Sequence, residues 1–248
     1  MSFTHKAFHK IRSETAGTAK SIVYAVLIAV VIRTFLFEPF HIPSSSMVPT
    51  LLVGDYLFVE KYAYGYGRYS LPLGLPWFDG RVLAGAPHRG DVVVFRKPSD
   101  TSVDYIKRLI GLPGDRIQMR QGRLYINGDL VKRSPIDDYV DEQGHSYQQY
   151  VETLPGGMSH RIIQELGDSG PLSSTGEFLV EPGHYFMMGD NRDDSLDSRT
   201  AEVGQVPTEN LIGPAEMLFL SIDSSAAWWE VWKWPFAIRY ERLLNFVR

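Results

Sequence analysis

Three consecutive serines, Ser44, Ser45 and Ser46, are the residues of this sequence best suited to nucleophilic chemistry. They lie between Pro43 and Pro49, and proline restricts both its own backbone and that of the preceding residue. The run is therefore stiffer than a serine linker. It also continues into an apolar, strand-like stretch, whereas linkers usually lead into polar sequence. We predict that one of the three serines is a nucleophile, and the run itself leaves open which one.

A serine hydroxyl is a weak nucleophile and needs an adjacent base to accept its proton. None of the 7 histidines sits in a pattern typical of a triad, and no lysine follows a serine at the spacing of S-x-x-K enzymes. Lys107 is the strongest candidate, because alternation along a predicted strand puts it on one face with Tyr105 and Leu109. Burial there would lower the pKa of its amine and let it accept a proton near pH 7. The alternative is a strand lysine whose amine reaches solvent.

A second serine motif, G-D-S-G-P at 167–171, resembles the nucleophile sequence of trypsin-like proteases. It lacks that motif's second glycine and lies in a polar stretch without a histidine in an apolar setting before it. We therefore assign Ser169 no catalytic role.

The stretch 189–199 is dense in charge and follows an apolar strand. A cation-binding loop is one interpretation, but Arg192 stands where an EF-hand has its second ligand. Alternating acids and arginines favour an internal network of ion pairs instead. Such a network would hold Ser195 near a catalytic amine.

The composition narrows the class of protein. The 248 residues carry a formal net charge of −4, with no basic stripe of the kind that binds nucleic acid. Because the sequence contains no cysteine, thiol nucleophiles, disulfides and thiolate metal sites are all excluded.

The N-terminal part predicts a membrane anchor at 21–38. Residues 1–20 are basic, and the apolar stretch after them reaches the ~20 residues that span a bilayer if Arg33 extends to an interface. The basic flank predicts a cytoplasmic N-terminus and an extracytoplasmic remainder. A cleaved signal peptide would need a small-x-small site after the apolar run, and none follows. A buried core helix is the other alternative, which the basic flank disfavours.

The remainder predicts a mainly β fold, with short β-branched runs separated by turn signals. The predicted strands are 51–59, 91–95, 105–110, 116–120, 123–126, 178–180, 185–188 and 218–222. We expect 116–120 and 123–126 to form a hairpin, and 178–180 to pair with 185–188 around a turn at 181–184. Residues 65–85 predict a surface loop, and 134–175 an inserted subdomain or excursion.

Several blocks, in this order, resemble those of bacterial type I signal peptidase, a membrane-anchored Ser-Lys protease, from the anchor to about Gly213. The blocks are Phe37-Glu38-Pro39-Phe40, Ile42-Pro43-Ser44-Ser45-Ser46-Met47-x-Pro49-Thr50-Leu51, Gly54-Asp55, Val59-Glu60-Lys61, Arg89-Gly90-Asp91-Val92-Val93-Val94-Phe95, Asp104-Tyr105-Ile106-Lys107-Arg108, Gly111-Leu112-Pro113-Gly114-Asp115 and Gly189-Asp190-Asn191-Arg192-Asp193-x-Ser195-x-Asp197-Ser198-Arg199. One departure is Ser45, where the family often has glycine.

The resemblance implies that Ser46 is the nucleophile and Lys107 the general base. The backbone N–H of Ser46 and the hydroxyl of Ser44 would form the oxyanion hole. Ser195 would hydrogen-bond the Lys107 amine, supported by Asp197 and Arg199. The implied small apolar substrate pockets, which suit small-x-small cleavage sites, involve Phe40, Ile42, Pro43, Met47, Leu51, Val94, Tyr105 and Ile106. The resemblance implies no metal and no organic cofactor.

The resemblance also implies the architecture and the location. We expect an antiparallel β-sheet ectodomain with one N-terminal transmembrane helix, in the inner (plasma) membrane, with the catalytic domain on the periplasmic side. The catalytic core would comprise 39–133 and 176–223, the inserted smaller β subdomain 134–175, and an aromatic tail 224–248. The expected substrates are the signal peptides of secretory preproteins.

The tail crowds four tryptophans, Trp228, Trp229, Trp232 and Trp234, into a short stretch. Tryptophan favours membrane interfaces, so membrane lipid is a candidate partner of the tail as well as of the anchor. The alternative is a tail that packs on the domain. Two rival functions are a repressor-type Ser-Lys regulator, which would need a DNA-binding domain, and a non-enzymatic anchored β-domain scaffold.

Overall fold

The protein is described here by a computed structural model of residues 3–70, 80–223, 225 and 229–247. These residues are mainly β and include two α-helices, α1 (Phe3–Phe35) and α2 (Trp234–Ala237). The strands are β1 (Phe37–His41), β2 (Asp55–Glu60), β3 (Val92–Lys97), β4 (Asp100–Gly111), β5 (Arg116–Arg120), β6 (Arg123–Ile126), β7 (Asp129–Leu130), β8 (Lys132–Pro135), β9 (Tyr139–Val140), β10 (Ser146–Thr153), β11 (Ser159–Gln164), β12 (Phe178–Leu179), β13 (His184–Met188), β14 (Val206–Pro207) and β15 (Leu211–Ser221). Short 3₁₀ helices occur at Gly167–Ser169, Thr208–Asn210 and Tyr240–Arg242.

The largest sheet has seven strands in the order β1-β2-β15-β3-β4-β13-β14, and its neighbouring strands are antiparallel. Strand β4 is central, paired on one side with β3 and on the other with β13. Its second half is buried because apolar clusters cover both of its faces. This places Lys107 opposite Val93 in the interior of the sheet.

Two smaller antiparallel sheets flank the large one. One has the order β12-β5-β6-β7 and includes the predicted hairpin, with Arg120 opposite Arg123. The positive φ angles of Gln121 and Gly122 give that hairpin its tight turn. The other contains β11-β10-β8, with β9 paired to β10, and lies mostly in the predicted excursion 134–175.

One predicted strand pair is wrong. Strand β12 does not pair with β13; it adds to the edge of β5, with Phe178 opposite Ile117. Strand β13 instead pairs with β4 and β14. The turn signal between them is real, since Gly183 has a positive φ, but the chain leaves one sheet there and enters another. Local turn chemistry cannot distinguish these two outcomes.

Three apolar clusters form the core. The first lies against the serine run and includes Met47, Leu51, Leu57 and Val94. The second fills the space between the β5–β6 hairpin and β13, and the third covers the opposite face of β3 and β4. The segment that contains the serine run therefore packs directly on the core.

Helix α1 is followed directly by β1, so the last residues of the predicted 21–38 segment, Phe37 and Glu38, belong to the sheet. In the part of the chain that the structure describes, no helix is both long enough and apolar enough to cross a membrane. The predicted loop at 65–85 has an isolated bridge between Tyr66 and Val82, and the Arg81 guanidinium donates to four backbone carbonyls around it. Residues 71–79 of that loop lie outside the described residues.

Candidate active site

The serine run forms a tight loop at 44–51 whose apolar side chains hold it down. Met47 and Leu51 are both 0 % exposed, and the Leu51 N–H donates to the Met47 carbonyl at 2.9 Å. The Asn191 N–H donates to the Ser46 carbonyl at 3.1 Å and ties the loop to the charged 189–199 stretch. The backbone around Ser46 is therefore held from two sides.

Lys107 meets Ser46 across the interior. Its Nζ lies 2.6 Å from Ser46 Oγ, 3.0 Å from the Ile106 carbonyl oxygen and 5.3 Å from the centre of the Tyr105 ring. The two residues are nearly buried, with Ser46 7 % and Lys107 4 % exposed. The prediction that Lys107 lies beside Tyr105 on a buried strand face is therefore confirmed, and the alternative of a solvent-reaching amine is wrong.

The amine of Lys107 is poised to lose its proton. Burial lowers its pKa to about 8, because the ammonium form loses hydration in the interior. The carboxylates of Asp197, Asp190 and Asp194 oppose this effect, and the Arg199 guanidinium adds to it. A neutral amine within hydrogen-bond distance of a hydroxyl can accept its proton, so the pair can act as nucleophile and general base.

The charged 189–199 stretch forms the predicted network around this pair. The Arg199 guanidinium donates to both Asp197 carboxylate oxygens and to the Arg192 carbonyl. Burial alone would raise the pKa of Asp197, but the Arg199 charge outweighs it and leaves that pKa below its ordinary value. Asp197 also accepts from the Gly189 N–H at 3.0 Å. The Asp197 carboxylate and the Arg199 guanidinium are therefore both charged, and the network that they form holds the backbone next to Ser46.

Ser195 is buried in this network, but it makes no hydrogen bond to Lys107. Its Oγ lies near the Asp197 carboxylate instead and helps to lower the pKa of that group. The structure therefore brings Ser46, Lys107 and Ser44 together and holds Asp197 and Arg199 beside them. It does not join Ser195 to the amine as the resemblance implied.

Sequence reasoning missed two partners of this network that lie outside the 189–199 stretch, Arg108 and Glu152. Arg108, next to the candidate base, donates to both Asp190 carboxylate oxygens, and Asp190 also accepts from the Thr50 hydroxyl of the 44–51 loop. Glu152 on β10 pairs with Arg192. Both carboxylates are fully buried, and their guanidinium partners outweigh the cost of burial to keep each pKa low. Arg108 could have been suspected from its place beside Lys107, but Glu152 carried no sequence signal.

Gly189 packs closely against the residues of the site, so a larger residue at this position would push them away. A Cβ at this position would lie 2.2 Å from Ser195 Oγ and 2.5 Å from the Ser46 carbonyl oxygen. The second contact is with backbone, so relieving it requires the 44–51 loop to move.

Gly189→Ala is therefore expected to destabilise the protein by ~1–3 kcal/mol, the usual cost of overpacking, and to lower its melting temperature by several degrees. The matched control is Gly176→Ala, where a Cβ meets nothing within 4 Å. Thermal unfolding of the two purified variants in the same detergent makes the comparison. Equal melting temperatures would mean that the loop tolerates displacement.

A pocket of about 560 Å³ opens onto the Ser46–Lys107 pair. Its lining includes six of the eight residues expected to bind substrate, namely Phe40, Ile42, Pro43, Val94, Tyr105 and Ile106. Met47 and Leu51 pack behind this lining, in the core. The pocket wall is predominantly apolar, as ligand pockets usually are.

Ser44 and Ser45 flank the nucleophile differently. The Ser44 Oγ lies 3.4 Å from Ser46 Oγ and lines the same pocket. The Ser45 hydroxyl donates to the Asp194 carboxylate, joining the 44–51 loop to the 189–199 stretch at the pocket rim. At Ser45, where the family often has glycine, the serine hydroxyl therefore has a hydrogen-bond partner.

The sequence is similar to known proteins over most of its length. A family model described as "Signal peptidase, peptidase S26" matches residues 15–220. Signal peptidase I of Rickettsia typhi is 46 % identical over 217 residues, which cover 85 % of this chain and 81 % of that protein. Signal peptidase I of Rickettsia canadensis is 44 % identical over 223 residues, covering 87 % and 83 %. A crystal structure of a signal peptidase I from Enterococcus faecalis is 29 % identical, covers 52 % of this chain and 96 % of that one, and has a TM-score of 0.32.

Proposed function

Because the chain belongs to the signal peptidase family, peptidase S26, and is a serine protease that cleaves signal peptides, we propose that Ser46 is its nucleophile and Lys107 its general base. The observation that carries this proposal is the 2.6 Å distance between Lys107 Nζ and Ser46 Oγ in a buried setting. Family membership also sets aside the alternative of a non-enzymatic scaffold.

In the proposed mechanism, Ser46 Oγ attacks the carbonyl carbon of the scissile bond while its proton passes to Lys107 Nζ. The C–N bond then breaks, and Lys107 returns the proton to the departing amine, leaving an ester on Ser46. Water repeats the sequence: it gives a proton to Lys107, attacks the ester and releases the signal peptide, and Ser46 regains its proton. One amine of suitable pKa therefore serves both half-reactions.

We further propose that the Ser46 N–H and the Ser44 hydroxyl stabilise the oxyanion. The short separation of the Ser44 and Ser46 hydroxyls supports this role. Ser44→Ala is expected to lower kcat about 10²–10³-fold with a much smaller change in KM, because the oxyanion forms only in the transition state. Steady-state cleavage of a preprotein measures both constants. A change confined to KM would contradict the proposed role.

The pH dependence of cleavage follows from the Lys107 amine. Only the neutral amine accepts a proton, so kcat/KM is expected to rise about tenfold per pH unit below the Lys107 pKa of about 8 and to level off above it. The charged and titratable groups around this amine are Asp197, Asp190, Asp194 and Arg199, with the Tyr105 ring beside them.

Asp197→Asn tests the sign of this dependence. It removes a charge that raises the Lys107 pKa and leaves Arg199 unneutralised, so both effects lower that pKa and move the acid limb to lower pH. Asp129→Asn, at an exposed carboxylate on β7, is the control and should leave the limb in place. If the acid limb of the kcat/KM profile does not move in Asp197→Asn, or moves to higher pH, Lys107 is not the titrating base.

We propose that the 560 Å³ pocket receives the small residues that precede the cleavage site. Its apolar lining suits alanine-sized side chains. We also propose that the chain divides into a catalytic core of 39–133 and 176–223, an inserted subdomain at 134–175 and a tail at 224–248.

We propose that α1 attaches the protein to the membrane, with the N-terminus cytoplasmic. Large apolar side chains on it, such as Ile22, Leu27 and Ile28, are more than half exposed, an arrangement that suits lipid better than water. The apolar stretch from Ser21 to the helix end is shorter than the ~20 residues of a straight span, and the long side chains of Lys20 and Arg33 would extend it to the interfaces.

The aromatic tail is proposed as a second lipid contact. Its backbone hydrogen-bonds along β15, for example between the Leu218 N–H and the Asn245 carbonyl, so the tail packs on the domain. Trp229, Trp232 and Phe236 remain largely exposed, with Phe236 89 % exposed. Trp228 lies outside the described residues. A packed backbone with outward-facing aromatic side chains supports contact with a membrane interface.

A further inference from the structure

A second groove, of about 860 Å³, lies next to the catalytic pocket. The described residues that line it come from distant parts of the chain: the end of β1, the 44–51 loop and the turn after it, strand β2, the segment 139–147, β11, the 189–199 stretch, the end of β15 and the C-terminal tail. Glu142 and Arg239, from the segment 139–147 and the tail, form an ion pair of 2.5 Å across it. The groove is thus lined by elements that are distant in sequence, and its volume is within the range of ligand-binding clefts.

The groove and the catalytic pocket are continuous, because His41 and Ser45 line both. Within the catalytic pocket, the lining residues advance from Phe40 on β1 to Ser46 in the loop after it, and from Val103 to Lys107 on β4. Strands β1 and β4 run in the same direction. The catalytic pair therefore lies at one end of the apolar pocket.

A peptide with its small residues in the apolar pocket has its scissile bond at Ser46. The chain beyond that bond must leave past the catalytic pair. Ser45 directly precedes Ser46, the Asn191 N–H donates to the Ser46 carbonyl, and Ile163 forms a bridge with Asn191. All three line the second groove. The exit from the catalytic pair thus leads into the groove.

The lining also favours an extended peptide of a particular charge. Tyr56, Tyr139 and Tyr147 supply flat aromatic surface with polar ends, which packs against peptide backbone and side chains alike. Asp141, Glu142 and Asp223 supply carboxylates, against the single guanidinium of Arg239 among the lining residues described, and Arg239 is paired with Glu142. The groove is therefore acidic.

We propose that this groove binds the first residues of the mature protein, the segment directly after the scissile bond, and that it prefers neutral or basic residues there over acidic ones. The proposal rests on the proposed function, since it assigns the groove to the leaving side of the same reaction. It gives the segment 139–147, within the 134–175 excursion, a role as the wall of a substrate site.

The test compares peptides that share one signal sequence and differ after the bond. One ends at the first residue after the bond, and another extends by five neutral residues. The wild-type kcat/KM is expected to be about tenfold higher for the long peptide, mostly through a lower KM. Two further peptides carry either two lysines or two glutamates among the added residues. At low salt we expect kcat/KM to be several-fold higher for the lysine peptide than for the glutamate peptide, and the difference should shrink at high salt.

Variants in the groove wall assign the effect to this site. Tyr147→Ala is expected to bring the ratio of kcat/KM for the long peptide to that for the short peptide close to 1. Tyr147→Phe should keep the wild-type ratio, because the ring and not the hydroxyl supplies the contact. Tyr150→Ala is the matched control, since Tyr150 lies on the same strand but packs against Arg133 outside the groove. Its ratio should equal that of the wild type.

Photo-crosslinking gives a readout that does not depend on Tyr147 variants folding. A long peptide with a photoreactive residue third after the bond, bound to Ser46→Ala protein, should label the segment 139–147. A ratio near 1 in the wild type, or labelling elsewhere, would overturn the proposal while leaving cleavage itself intact. Crosslinks between two copies of the chain would assign the groove to self-association and also overturn it. Failure to cleave either peptide would instead refute the proposed function.

Discussion

Replacing Ser46 with alanine is expected to lower kcat for preprotein cleavage by at least about 10⁴-fold, with little change in KM. Without the hydroxyl no acyl-enzyme forms, and in well-studied serine proteases loss of the nucleophile costs even more than this. The variant should fold normally, because alanine fits the space and Ser46 is held by its backbone contacts to Asn191 and the loop. Cleavage of a purified preprotein in detergent, followed by gel and by N-terminal sequencing of the product, measures the effect.

The matched control is Ser169→Ala, at the serine of the second motif. Ser169 lies in a short 3₁₀ helix that is exposed apart from Gly167. Its replacement should leave both kinetic constants within about twofold of the wild type, as expected for a surface substitution. If Ser169→Ala were inactive and Ser46→Ala active, the nucleophile would have to be reassigned.

Replacing Lys107 with methionine has the second largest expected effect, a loss of about 10³-fold or more in kcat. Methionine keeps the length and apolar character of the lysine stem but cannot accept the Ser46 proton. Lys107→Arg should be equally inactive although it keeps the positive charge, because a guanidinium does not lose its proton in proteins. This pair of variants separates a catalytic amine from a merely structural cation.

The control for Lys107 is Lys132→Met, at an exposed lysine on β8. It should cleave at the wild-type rate, and circular dichroism of all three variants should show the same β content. Activity in Lys107→Arg would mean that the charge and not proton transfer matters at this position, which the proposed mechanism does not allow.

The sequence predicted the features that depend on local pattern. The β5–β6 hairpin follows from two short strands around Gln121-Gly122, and the structure confirms that the two strands pair. The buried setting of Lys107 followed from strand alternation, although alternation could not exclude the solvent-reaching alternative. The choice of Ser46 among three adjacent serines came from family resemblance, since the run offers no periodicity that distinguishes them.

The features that sequence reasoning missed depend on contacts between distant parts of the chain. The failed β12–β13 pair shows this, because Phe178 has a better partner in Ile117 than in the strand that follows it. Glu152 reaches Arg192 only because β10 folds back against the charged stretch. Ser195 lies in the right stretch, but its hydroxyl direction depends on backbone geometry that no motif encodes.

The chemical identity of the acylated residue tests the central claim most directly. Wild-type protein turning over a saturating preprotein-derived peptide would be quenched in acid, digested and analysed by mass spectrometry for the added mass of the signal peptide acyl group. The Ser46–Lys107 account predicts that mass on the peptide containing Ser46, and its loss in Ser46→Ala. The same added mass on another residue, or continued cleavage by the Ser46→Ala protein, would contradict it.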